Sequence, residues 1–108
     1  ALDGISDTAN LGSMIRCASA FGVQAIILSR DCCDAWYRRS VRVSMGHVFQ
    51  VPCIRVEDLA ATMQKLSREP FDVTSYAAVI DMNADLILES VERGTFYFIC
   101  VVHCAKDE

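Results

Sequence analysis

Short runs rich in apolar residues, at 25–28, 49–54, 76–80 and 96–102, alternate along this chain with segments whose apolar residues recur every three to four positions. Short continuous runs suit strands buried on both faces, and the intervening period suits amphipathic helices. The opening Ala1–Gly4 reads as the end of one more strand. Strand and helix in strict alternation specify an α/β fold: a mostly parallel sheet with helices on both faces, joined by right-handed crossovers. No repeat, low-complexity tract or linker divides the chain, so residues 1–108 are expected to form a single domain.

Three helices follow from the periodicity. Leu11, Met14, Ile15, Ala18 and Phe21 make one buried stripe, with Asn10 as an N-terminal cap and Gly22 at the position of a left-handed C-cap. A second helix, from about Trp36 to Met45, gathers Arg38, Arg39 and Arg42 on adjoining faces beside a stripe of Tyr37, Val41 and Met45. In the third, Val56, Leu59, Ala60, Met63 and Leu66 share a face. Glu57 and Asp58 occupy its first turn and Lys65 and Arg68 its end, matching the helix dipole. Glu69-Pro-Phe-Asp then breaks the pattern.

Although 53% of residues are hydrophobic, no run approaches the ~20 apolar residues that cross a bilayer, so no membrane role is expected. Six cysteines in 108 residues fall short of a disulfide scaffold, and adjacent Cys32 and Cys33 are poor partners for each other. Reduced thiols in a cytosol-like compartment are expected, with Cys17, Cys53 and Cys100 as small buried hydrophobes. Cys32, Cys33, Cys100, His103 and Cys104 contain no Cys-x-x-Cys pair, so no metal site is expected.

The net charge of −4 weighs against nucleic acid only if charge is evenly spread. It is not, because Arg30, Arg38, Arg39 and Arg42 place four of the ten basic residues in one stretch. Such a cluster holds phosphates by charge and by bidentate hydrogen bonds. On local sequence alone it is equally a solvated helix face, Asn10 a plain cap, and Arg16 a solvated helical arginine. Gly12 inside a helix costs up to about 1 kcal/mol relative to alanine, which favours a close-approach reason for it.

Asp7, Asn10, Gly12 and Arg16, followed by Ala20-Phe-Gly22, together resemble the first motif of the SpoU (TrmH-type) branch of the SPOUT superfamily, the knotted RNA methyltransferases. Thr8 stands where that motif has proline. Ser40-Val-Arg-Val-Ser-Met-Gly-His-Val-Phe-Gln-Val-Pro52 resembles the family's second stretch, an Arg-x-Ser-x-Gly run leading to Pro, and Tyr76–Asp81 fits its next strand. The likeness spans roughly residues 2 to 102. Beyond it the family continues into an Asn-Glu-Gly-type loop and an Asn-bearing segment that bind S-adenosylmethionine, where this chain reads His103-Cys-Ala-Lys-Asp-Glu108. The expectation is therefore a partial SPOUT domain without the knot segment, with no cofactor-binding residue assigned.

The resemblance implies methyl transfer from S-adenosylmethionine to a ribose 2′-hydroxyl of structured RNA, tRNA or rRNA, by a protein that works as a homodimer. Arg16 matches the catalytic arginine. A guanidinium with a pKa above about 12 is a costly base, so its implied work is to stabilise a developing alkoxide and grip the neighbouring phosphate. Asn10 would orient Arg16 or the ribose, and Gly12 would let RNA backbone approach the helix start. Arg38, Arg39, Arg42 and Ser44 would contact RNA, although Ser44 equally suits a turn before Gly46. His47 and His103 match no catalytic position and read as structural. Two other functions compete: a catalytically inactive RNA-binding or dimerising module, and a doubly wound nucleotide-binding domain, which lacks any Gly-x-Gly-x-x-Gly or phosphate loop.

Overall fold

The computed structural model describes residues 1–78 and the backbone of 99–103. Five parallel strands form one sheet: β1 (Leu2–Asp3), β2 (Ile26–Ser29), β3 (Cys53–Val56), β4 (Ser75–Ala78) and β5 (Ile99–His103), in the order β3-β2-β1-β5-β4. Helices α1 (Thr8–Ala20), α2 (Arg38–Val43) and α3 (Leu59–Leu66) lie between successive strands from β1 to β4. The chain steps one way from β1 to β2 to β3, then reverses across the sheet to reach β4. With right-handed crossovers, α1 and α2 therefore cover one face and α3 the other. The expected α/β architecture is what the chain adopts.

The core sits between β1, β2 and the inner side of α1. Leu2, Ile5, Leu11, Ile15, Ile26, Leu28, Cys32, Ala35, Val48 and Val51 are buried together, with Met14, Ala18 and Val41 packed at its margin. Leu11 and Ile15 are completely inaccessible, as neighbours four apart on one helix face should be when that face is the inward one. Phe21 leaves the expected stripe: it is 87% exposed, because α1 has already ended there. Gly22 follows with φ +70°, its N–H donating to Ser19 O and that of Val23 to Ala18 O, so the left-handed ending expected at Gly22 is present.

Several elements fall differently from their sequence patterns. The N-cap of α1 is Asp7, whose carboxylate accepts from Ala9 N at 2.7 Å and Asn10 N at 3.0 Å. Asn10 therefore lies inside the first turn instead of capping it. The α2 helix is shorter than the span 36–45. Tyr37 and Met45 are 58% and 71% exposed, and the buried positions are Ser40 and Ser44.

No strand begins at Phe49. Residues His47–Phe49 form a single 3-10 turn, whose close, eclipsing i, i+3 spacing sends both Val48 and Val51 into the core. Strand β3 starts only after Pro52. Asp58 caps α3 through Ala61 N at 2.9 Å, so Glu57 and Asp58 precede that helix. Cys17 is exposed, Cys53 half-buried. Residues 79–80 and 96–98 of the expected strands, the Cys100 and His103 side chains, and Cys104 lie outside the described residues. No helix among the described residues is long and apolar enough to cross a membrane.

Candidate nucleic-acid and catalytic site

At β1 the chain order turns. It leaves toward β2 on one side while β5 lies on the other, with Leu2 opposite Val102 and Asp3 opposite His103. Ligands of open α/β sheets gather outside the carboxyl ends of strands at such a point. The segment that follows β1 is the one carrying Asp7, Asn10 and Arg16. Two backbone hydrogen bonds to its carboxylate, first from Asn10 and then from Ala9, hold Asp7 below its ordinary pKa, and the nearby Arg39 charge adds to this.

Helix α1 presents three faces with different tasks. Leu11, Met14, Ile15 and Ala18 turn to the core, while Asn10, Ser13 and Cys17 are exposed. Between them Gly12, Arg16 and Ser19 face α2 and the turn after it. Gly12 meets α2 so closely that a Cβ would lie 2.6 Å from the Ser40 carbonyl oxygen and 3.0 Å from Ser44 N. One turn on, Arg16 Nη1 donates to Met45 Sδ at 3.4 Å. The next turn brings Ser19 Oγ to 2.8 Å from His47 Nδ1 and 3.3 Å from Gln50 Oε1.

This geometry redistributes the expected site residues. Gly12 is buried, and the space beside its Cα is filled by α2 backbone, so close approach there serves helix packing and leaves no room for RNA. Ser44 is likewise fully buried, its hydroxyl donating to Val41 O at 2.8 Å, and it cannot touch RNA. Asn10 and Arg16 are six positions apart, about 9 Å along the axis and on different faces, and Arg16 makes its side-chain hydrogen bond to Met45 and not to Asn10. The Arg16 side chain stays exposed, with a thioether as its hydrogen-bond partner. Arg38, Arg39 and Arg42 are exposed as well. None of the four has a carboxylate at ion-pair distance among the described residues.

The β3 arginine was not singled out by sequence. Arg55 Nη1 donates to the carbonyl oxygens of Ser29, Arg30 and Cys32 at 3.3, 2.9 and 2.8 Å, and Nη2 to Cys33 O at 3.0 Å. It thereby fixes the loop that leads into α2. Only the pairing of Leu28 with Arg55 brings it there, and that register is invisible in sequence. Burial pushes the Cys33 and Cys53 thiols up from their ordinary pKa, which disfavours the thiolate form at both. His47 is committed to Ser19 and Gln50, in keeping with a structural role.

A model of the SpoU rRNA methylase family matches residues 1–98. The chain belongs to that family. Among SpoU relatives, an uncharacterized tRNA/rRNA methyltransferase of Mycobacterium tuberculosis is 41% identical over 70 residues, which is 65% of this chain and 24% of the relative. The 23S rRNA (guanosine-2'-O-)-methyltransferase RlmB of Escherichia coli is 38% identical over 80 residues, 74% of this chain and 33% of its own. The chain thus spans about a quarter to a third of the curated relatives it matches.

Solved SpoU-type structures superpose over nearly all of it. The rRNA methyltransferase from Sinorhizobium meliloti gives a TM-score of 0.77 at 25% identity, covering 93% of this chain and 37% of that one. The SpoU methyltransferase AviRb from Streptomyces viridochromogenes, in complex with AdoMet, gives 0.76 at 24% identity, covering 94% and 38%.

An open cleft of about 500 Å³ at the ends of β1–β3 is lined by Asp3, Ser29, Arg30, Asp31, Glu57, Asp58 and Leu59. It does not suit S-adenosylmethionine. Leu59 is its one apolar side chain, where an adenine ring needs two apolar faces.

Proposed function

We propose that the whole protein transfers a methyl group from S-adenosylmethionine to a ribose 2′-hydroxyl of tRNA or rRNA, and that residues 1–78 supply its RNA-facing half. The observation that carries this is Arg16: an exposed guanidinium carried on α1, in contact with a neutral sulfur in place of a carboxylate. A thioether is a weak acceptor, so the arginine keeps nearly all of its hydrogen-bonding capacity for an anion. Family membership and the names of the RlmB and AviRb relatives support the reaction and the cofactor.

The 2′-hydroxyl is a poor nucleophile at neutral pH. A guanidinium beside it stabilises negative charge as the oxygen passes its proton to a water or to the adjacent RNA phosphate, and its second N–H edge grips that phosphate in a bidentate contact. Arg38, Arg39 and Arg42 extend the positive surface along α2 to hold flanking phosphates. Asn10, exposed at the first turn of α1, is free to hydrogen-bond the ribose but acts independently of Arg16. S-adenosylmethionine supplies the electrophilic methyl when bound. By the same family reasoning the protein is a homodimer in a reducing, cytoplasmic compartment.

The test is Arg16→Ala in the whole protein, measured by single-turnover transfer and by calorimetry with the cofactor. Loss of one charge-stabilising donor should slow transfer roughly a hundred- to a thousandfold and leave cofactor affinity unchanged. Unchanged turnover refutes the role.

A further inference from the structure

Two large aromatic side chains stand on the surface next to the arginine cluster with no part in the core. Trp36 is 54% and Phe49 71% exposed, yet their ring centroids are 5.3 Å apart at an interplanar angle of 66°. An edge-to-face pair covers at most one face of one ring, so aromatic faces remain open to solvent. The backbone that carries Trp36 is held in place: the Trp36 main-chain N–H donates to Asp34 Oδ1 at 2.9 Å, Ala35 beside it is buried, and Ser40 Oγ donates to Asp34 O. Its neighbours along the chain are Tyr37, Arg38 and Arg39. Phe49 closes the 3-10 turn, where its ring lies beside Gly46, a methyl group on which would stand 4.0 Å from Phe49 Cδ2. Gly46 follows Met45, the residue that Arg16 touches. A continuous ridge therefore runs from Arg16 through Met45, Gly46 and Phe49 to Trp36, with Arg38, Arg39 and Arg42 on the helix between.

We infer that Trp36 and Phe49 form a stacking platform for an unpaired base, so that the preferred RNA is single-stranded or looped at the target. The inference rests on the RNA reading above and adds the class of RNA. Aromatic faces recognise only bases that have left a helix, since paired bases hide their faces against one another. Arg38 and Arg42, which have no carboxylate at ion-pair distance among the described residues, are the electrostatic half of the same arrangement, because they match a phosphate backbone. A second copy of this chain, also bearing the arginines, would have to bring like charges together on the same patch.

Trp36 is the single tryptophan, so its fluorescence reports directly on stacking. The chain is titrated with end-labelled oligoadenylate and with a fully paired RNA duplex, following both tryptophan emission and the label's anisotropy. The single strand should quench Trp36 and the duplex should not. Trp36→Leu and Phe49→Leu, both surface changes, should weaken single-strand binding roughly tenfold and leave duplex binding unaltered. Single-strand binding without quenching, or without loss in both variants, overturns the platform while the RNA reading stands. Failure to bind either RNA removes the RNA reading and the platform with it. Concentration-dependent dimers that both variants abolish would assign the patch to a second copy and overturn the inference.

Discussion

Gly12 and Ser40 are in direct backbone contact: a methyl group on Gly12 would stand 2.6 Å from the Ser40 carbonyl oxygen, and also 2.9 Å from Val43 Cβ. Alanine would gain about 1 kcal/mol of helix propensity over glycine. Against this, overpacking against backbone costs typically 1–3 kcal/mol or more, because a carbonyl cannot rotate away as a side chain can. The clash wins. Gly12→Ala should lower the melting temperature by roughly 4–10 °C, read by circular dichroism, for a net loss of about 1–2 kcal/mol in a domain of this size. An unchanged melting temperature would mean that α1 and α2 are not seated on each other at this point.

The same pair shows where sequence reasoning succeeds and where it stops. The period of Leu11, Met14, Ile15 and Ala18 and the ending at Gly22 are local properties, and both are legible in the residues themselves. Parallel strands and their alternation with helices are legible for the same reason. What α1 meets on its second side is not local. Gly12 looked like an opening for a ligand because an unneeded glycine in a helix demands an explanation. The explanation came from Ser40 and Ser44, two small polar residues in a helix whose apolar residues suggested a different inward face. Asp7 displaced Asn10 as the cap because both residue types cap well, and only the backbone decides between them. Arg16 and the α2 arginines kept their place at the surface, since exposure of charge is the strongest local rule.

Arg55 predicts an ordering effect at a distance from the proposed chemistry. Its four hydrogen bonds to carbonyl oxygens of residues 29–33 need a planar fork of donors, which lysine lacks. Arg55→Lys should therefore loosen the loop while β3, held by its own pairing with β2, persists. Amide hydrogen exchange across residues 30–36 should accelerate by about tenfold, equivalent to roughly 1.4 kcal/mol, a magnitude within reach of charge-assisted hydrogen bonds. Equal exchange in both proteins would show that the loop holds itself.

The Asp7 cap makes stability depend on acid. Its folded pKa lies below the ordinary 3.8, through the backbone hydrogen bonds from Asn10 and Ala9. A carboxyl group with a depressed folded pKa binds more protons unfolded than folded, so its contribution is complete above pH 3.8 and fades as pH falls through the lower folded value. Asp7→Asn keeps a capping acceptor and removes the titration. The melting temperature of the variant should fall less steeply than that of the parent as pH drops below 3.8, with the two curves differing little in shape at neutral pH. Parallel curves in the acid range would place the titration elsewhere.

The α2 arginines differ in their surroundings, and this separates their expected effects. Arg39 lies near enough to Asp7 to help depress its pKa, whereas Arg38 and Arg42 are exposed with no carboxylate at ion-pair distance among the described residues. Each phosphate neutralised on a duplex contributes about 0.9 to the slope of log affinity against log salt concentration, and somewhat less on a single strand. Changing both Arg38 and Arg42 to alanine should weaken RNA binding and flatten that slope by roughly 1.4 to 1.8, the work of two contacts. Folding should be spared, because neither side chain enters the core and alanine is the better helix former. A slope that stays the same would show that these two charges face only water, and that any RNA bound to this chain is held through Arg16 and the aromatic ridge.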